Sequence, residues 1–132
     1  MVSLTPPWRR NLHLTLSTAV VLPAGLLYGA WPDDVLPAVL DVPDLTNDLR
    51  SQLRAVMMLY LGSATLWIIG IFDRRYWYPA TLLCVVFMST IALGRMLSWL
   101  LDGSPSWVYQ YGLIGEVVLA VFSGWQWRRY GR

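Results

Sequence analysis

Four long, uninterrupted apolar runs constrain this chain more than any other feature. They cover about residues 12–30, 53–72, 80–101 and 107–127. Each has the roughly 20 residues that a helix needs to cross a hydrocarbon core about 30 Å thick. In lipid the backbone must satisfy its own hydrogen bonds, which selects helices. A transmembrane β-barrel would show alternating segments of about ten residues, whereas these runs are continuous. Charged residues make up only 14% of the 132, against about 25% in a soluble domain. The reading is an all-α integral membrane four-helix bundle. It forms one transmembrane domain over residues 1–132, with no room for a soluble module.

Arginine placement sets the expected orientation. All ten basic residues are arginines. With the N-terminus inside, the cytoplasmic side holds Arg9, Arg10, Arg74, Arg75, Arg128, Arg129 and Arg132. The outer side holds only Arg50 and Arg54, beside Asp33, Asp34, Asp41, Asp44, Asp48 and Asp102. Aromatic girdles agree, with Trp8, Trp77, Trp125 and Trp127 inside and Trp31, Trp99, Trp107 and Tyr109 outside. The expected location is the bacterial inner membrane, multi-pass, with both termini cytoplasmic. The first run is read as a retained helix, because Tyr28-Gly29-Ala30 makes a poor signal-cleavage site. The Arg9-Arg10 pair is read as its cytoplasmic anchor, not as a twin-arginine export signal.

The segment 31–52 holds Pro32, Pro37 and Pro43 and cannot be one continuous helix. Val35, Leu36, Val39 and Leu40 predict a short piece along the outer interface, and Thr46 suits the cap of the second long helix. Pro23 is expected to kink the first helix, with Thr15, Ser17 or Thr18 satisfying nearby carbonyls. Several chemistries are excluded. A lone Cys84 rules out an internal disulfide or C-x-x-C pair. A lone His13 rules out a haem held by two histidines of this chain. It reads instead as an interfacial imidazole near the inner end, with cofactor ligation needing other chains. A net charge of +2, with arginines spread over helix ends, excludes nucleic acid. The acidic residues from Asp33 to Asp48 lack calcium-loop spacing, and no metal site is expected.

Two ionisable residues fall inside runs, Arg95 in the third and Glu116 in the fourth. A charge at that depth needs a partner, water or a role. At about 1.5 Å per residue they lie roughly 9 and 13 Å below the outer ends of their helices, within an arginine's reach. Small residues recur every four positions beside them: Thr90, Gly94 and Ser98, and Gly112, Glu116, Ala120 and Gly124. Such stripes let backbones approach in lipid, so they are expected to face each other. Glu116 then accepts from Arg95 or, alternatively, from Arg54. Arg54, Arg95, Glu116, Gln110, Tyr111 and Asp102 form one candidate polar cluster, either a structural staple or a ligand or proton site. No catalytic residues are expected.

The chain resembles a bacterial membrane family, domain of unknown function 4345. The resemblance rests on Leu53-Arg54-Ala55 with Gly62, and on Ala92-Leu93-Gly94-Arg95 running to Leu101-Asp102-Gly103-Ser104-Pro105 and then Glu116. It implies a four-helix bundle and supplies no activity to carry over. A remoter similarity to small DoxX-like proteins implies quinone or redox neighbourhoods. The first expectation is a non-catalytic accessory or structural subunit of a larger membrane complex, with membrane lipids and other subunits or copies of itself as partners. The alternative is a binder or carrier of a lipid- or quinone-like molecule that uses the outer Arg/Glu cluster. No intrinsic cofactor is expected, a bound lipid or quinone aside.

Overall fold

The computed structural model describes residues 7–42 and 44–131. Pro43 and Arg132, both used in the reading above, lie outside them. The elements are α1 (Pro7–Ala30), α2 (Pro32–Val39), α3 (Asn47–Phe72), a 3-10 turn (Arg74–Tyr76), α4 (Trp77–Asp102) and α5 (Trp107–Tyr130). There is no strand among the described residues.

The long helices outrun the apolar runs because their ends carry good start and stop signals. Pro7 opens α1 with its φ already helical. Thr46 caps α3, its Oγ1 accepting from Leu49 N at 3.2 Å, so α3 starts two turns before the apolar run. The Asp73 carboxylate accepts from Arg75 N at 2.9 Å and seeds the 3-10 turn that leads into α4. Gly103, at φ 95°, ends α4 in the left-handed region. Pro23 sits inside α1, and the helix continues through it. Among the described residues, the expected hydroxyl support for carbonyls near Pro23 is not there, and Thr18 Oγ1 makes no hydrogen bond. Thr15 donates to Asn11 O at 3.1 Å, a turn too early, and Ser17 turns to Cys84.

Cross-helix contacts fix the register. Gly25 and Gly29 of α1 lie against Tyr60 and Met57 of α3, and Asn11 reaches Ile71 O at 2.9 Å. The two helices are therefore antiparallel. Cys84 meets Ser123 and Arg95 meets Glu116, so α4 and α5 are antiparallel too. α3 packs on α4, and α5 returns to α1. The start of α1, the α3–α4 turn and the end of α5 thus share one end of the bundle, which carries most of the arginines.

Trp67, Leu14, Ala64, Cys84, Ala80 and Met88 fill the core. Large apolar side chains also cover the outside, with Phe72 85% and Leu100 84% exposed. A soluble protein rarely tolerates such continuous apolar exposure; acyl chains suit it. Three helical stretches are long and apolar enough to cross a membrane: α1, α3, and Arg74–Asp102. α5 matches α1 at 24 residues, but Gln110, Glu116 and Gln126 lower its apolar content.

At the other end, the proline-bearing segment folds back over the bundle. Leu36, Leu40 and Leu45 bury against Tyr28, Val108 and Tyr109. Asp33 pins it to α3, accepting from Arg50 Nη2 at 2.7 Å and Nε at 3.0 Å. These hydrogen bonds hold the Asp33 carboxyl below the usual carboxylate range. Its contribution is therefore present above the ordinary pKa of about 3.9 and is lost as pH falls through the lower folded value. Amides of residues 33–42 should lose protection, measured against the intrinsic exchange rate at each pH, on acidification below that value. Asp33→Asn should show that loss already at neutral pH, with little further change in acid.

Candidate functional site

The sequence expectation centred on buried charges, and the structure places them on facing helices. Arg95 Nε donates to Glu116 Oε1 at 2.9 Å and Oε2 at 2.8 Å. The two side chains are 21% and 15% exposed. The guanidinium carbon lies 4.6 Å from the centre of the Tyr109 ring, a cation–π distance. One nitrogen serves both carboxylate oxygens. The two terminal nitrogens of Arg95, with four N–H donors, make no hydrogen bond among the described residues.

The rest of the expected cluster is not drawn together. Arg54 is exposed on α3 and lies outside both cavities beside Arg95. Its expected depth, about one turn below the outer surface, misled, because α3 begins at Asn47 and leaves Arg54 exposed. Asp102 accepts from Ser98 Oγ at 2.8 Å. Gln110 closes the α4–α5 turn, donating to Pro105 O at 2.8 Å and Ser104 Oγ at 3.1 Å. Tyr111 borders the larger cavity but is 70% exposed.

The small-residue stripes do not form the expected tight seam. A Cβ added at Gly94, Gly112 or Gly124 would meet nothing within 4 Å. Thr90 is exposed and bonds back to Val86 O, Ser98 is exposed, and only Ala120 packs on the core. The close approach belongs to Gly25 and Gly29 against α3, and to Gly70 against Ala80. The physical reason is rotation about the helix axes: Gly112 and Gly94 face open cavities, while α4 and α5 meet through other side chains, Cys84 with Ser123 and Arg95 with Glu116.

The open glycines leave a cavity of about 400 Å³, within the usual range of small-molecule sites, about 300–1,000 Å³. Leu16, Val20 and Ala24 of α1 face Gly112, Gly115 and Leu119 of α5 across it, with Tyr60 and Phe87 behind. Leu16, Val20, Val118 and Tyr111 both line it and are exposed, so it opens sideways between α1 and α5. Among the described residues, Arg95 and Glu116 are the only charged ones in its wall. A second cavity of about 370 Å³, bounded by Gly94, Ser98, Pro105 and Tyr109, shares Tyr60, Ile91 and Arg95 with the first. Arg95 stands in the partition between the two.

A second polar set lies toward the arginine-rich end, and sequence reasoning missed it. His13 is 0% exposed, its Nε2 2.9 Å from Thr81 Oγ1, with Trp77 and Phe122 edge-on to the ring. This corrects the interfacial reading of His13: α1 begins at Pro7, so His13 sits within the bundle. Cys84 Sγ lies 3.1 Å from Ser17 Oγ and 3.2 Å from Ser123 Oγ, tying three helices together. Gln126 donates to Arg9 O at 2.9 Å. The signal in the sequence was the spacing of His13 and Ser17, four apart on one helix face. No group of three or more potential metal ligands occurs among the described residues.

A family model described as Domain of unknown function (DUF4345) matches residues 10–126. No curated protein and no solved structure matches the chain. The matched stretch runs from the first turn of α1 to the last turns of α5 and takes in Arg95, Glu116 and every helix between. The chain belongs to the DUF4345 family.

Proposed function

We propose that this protein crosses a bacterial inner membrane four times, with both termini cytoplasmic. We further propose that it holds a small neutral amphiphile in the α1–α5 cavity, the polar head on Arg95 and Glu116. The four-span reading draws on α5 packing along α4 and on its length, roughly 36 Å at about 1.5 Å per residue. The orientation draws on the arginine-rich end.

One observation carries the ligand reading: an apolar cavity of about 400 Å³, open sideways between α1 and α5, whose only charges among the described residues are the Arg95–Glu116 pair. The two charges cancel, so an ionic ligand would bring an unbalanced charge to lipid depth. The free N–H donors of Arg95 call for an acceptor, such as an ester or ring carbonyl. The apolar walls call for a chain or ring body, as in a lipid or a quinone. The role is holding or carrying, with no bond made or broken. An accessory-subunit role draws on exposed faces such as Leu93, Leu97 and Leu100. Acyl chains cover those faces equally well, and the cavity has no purpose in such a role.

The test is photolabelling in membranes with a neutral, carbonyl-headed amphiphile carrying a diazirine on its chain. Label should map to residues 16–24 and 112–119. Gly112→Phe, which fills open space, should lower it by about tenfold, the fold-change of about 1.4 kcal/mol. Label spread evenly over Leu93, Leu97 and Leu100, and indifferent to Gly112→Phe, would overturn the reading.

A further inference from the structure

The arginine-rich end holds a second recess that the cavity reading leaves unused. Between the first turn of α1 and the last turns of α5 lies a cradle of about 290 Å³, bounded by Trp8, Arg9, Gln126, Arg129 and Tyr130. Arg9 and Arg129 lie over aromatic rings, Trp8 at 5.2 Å and Trp125 at 5.0 Å. Neither has a carboxylate within salt-bridge reach among the described residues. Six described arginines stand at this end against one acid, Asp73, and Arg75 holds that acid at 2.7 Å. The charge there is uncompensated.

Gln126 adds a directional group. Its side chain is buried, at 2% exposure, and its Nε2 is spent on Arg9 O, while its Oε1 has no partner among the described residues. A buried carbonyl oxygen left bare is costly and calls for a donor. The cradle also continues into an apolar groove along α5, formed by Val117, Val118 and Val121, with Phe122 and Trp125 shared by both.

We infer that this end binds one anionic phospholipid with a hydroxyl-bearing headgroup. Its phosphate sits between Arg9 and Arg129, a headgroup hydroxyl donates to Gln126 Oε1, and an acyl chain lies in the Val117–Val118–Val121 groove. Two arginines meet the phosphate, the amide oxygen selects a donor over a bare phosphate, and the groove selects a lipid over a soluble anion. Basic recesses between helices at the cytoplasmic face suit such headgroups. The site shares no arginine with Arg95–Glu116 and touches that cavity only at Val118, so the arginine variants of each site test the two proposals separately.

The test uses the full chain in phosphatidylcholine vesicles doped with spin-labelled phosphatidylglycerol, reading the immobilised lipid fraction. Wild type should prefer phosphatidylglycerol over spin-labelled phosphatidylcholine. The double variant Arg9→Gln/Arg129→Gln should lose that preference by about tenfold, while Arg74→Gln/Arg128→Gln, of equal charge loss outside the cradle, should stay within about twofold of wild type. Equal losses in both double variants would show diffuse attraction to the basic end and overturn the site. Displacement of the label by inorganic phosphate or glycerophosphate would show a soluble-anion site and overturn the lipid assignment. Val121→Trp, on a lipid-facing position 69% exposed, blocks the groove without touching the core. It should also cut the preference, and it decides the matter if the arginine variant does not fold. No change with Val121→Trp would overturn the assignment of a lipid with its chain in this groove.

Discussion

Replacing Glu116 by leucine should destabilise the bundle by about 3 kcal/mol, the lower end of what removing one partner of a buried ion pair costs. The lower end applies because the pair keeps some exposure, 21% and 15%, and because Arg95 retains Tyr109 beneath it. Arg95→Met should cost a similar amount, by leaving the carboxylate in an apolar wall. The double variant Arg95→Met/Glu116→Leu should recover to within about 1 kcal/mol of wild type, since apolar pairs of similar volume often replace buried ion pairs without loss. Reversible unfolding in mixed micelles, followed by helicity, gives the coupling energy of this cycle. Additive losses would mean that the pair does not couple and that each charge finds water independently. A recovered fold without ligand binding would assign the pair to recognition more than to stability. That is the role expected of a charge pair kept inside lipid at a cost.

The second large effect belongs to the α1–α3 seam. Gly29→Val should cost about 2–3 kcal/mol, the upper range for overpacking. An added Cβ at Gly29 collides with Met57 at its Cβ, close to the backbone, where the flexible end of that side chain offers no relief. At Gly25 the same addition would lie 2.8 Å from Tyr60 Cβ. Gly112→Ala is the contrast: its Cβ enters open space, and alanine is the better helix former, so stability should hold or rise slightly. Equal losses at Gly29 and Gly112 would mean that Gly112 is packed as tightly as the α1–α3 seam and that no open space lies beside it.

That contrast shows what the sequence makes legible in a protein of this kind. The all-α fold and the rough extent of the long helices were readable, because a long continuous apolar run favours a helix over a strand. The meeting of Arg95 with Glu116 was readable from depth, since both lay at similar distances from their outer helix ends. Rotation about each helix axis was not. In a soluble helix the apolar stripe marks the buried face; here lipid-facing and core-facing residues are both apolar, and the stripe vanishes. Hence Gly94, Gly112 and Gly124 looked like a seam and face open space, while Gly25 and Gly29, the same four-residue repeat, were passed over. Arg54 was drawn into the cluster by depth alone and points away. His13 was misplaced for a different reason. Its burial follows from α1 starting at Pro7, and apolar content marks helix ends poorly when charged first turns extend into the interface. Tyr109, which frames Arg95 together with Tyr60, was legible only as an interfacial aromatic, and Tyr60, inside the second apolar run, carried no sequence signal.

The central claim is that the α1–α5 cavity holds a neutral amphiphile headed on Arg95 and Glu116. Native mass spectrometry of the full chain, released from mild detergent, tests it most directly. The account predicts a non-covalent neutral adduct of lipid-like mass on wild type, weakened in Arg95→Met/Glu116→Leu and lost in Gly112→Phe. A wild-type chain that is bare, or an adduct that survives Gly112→Phe unchanged, would contradict it.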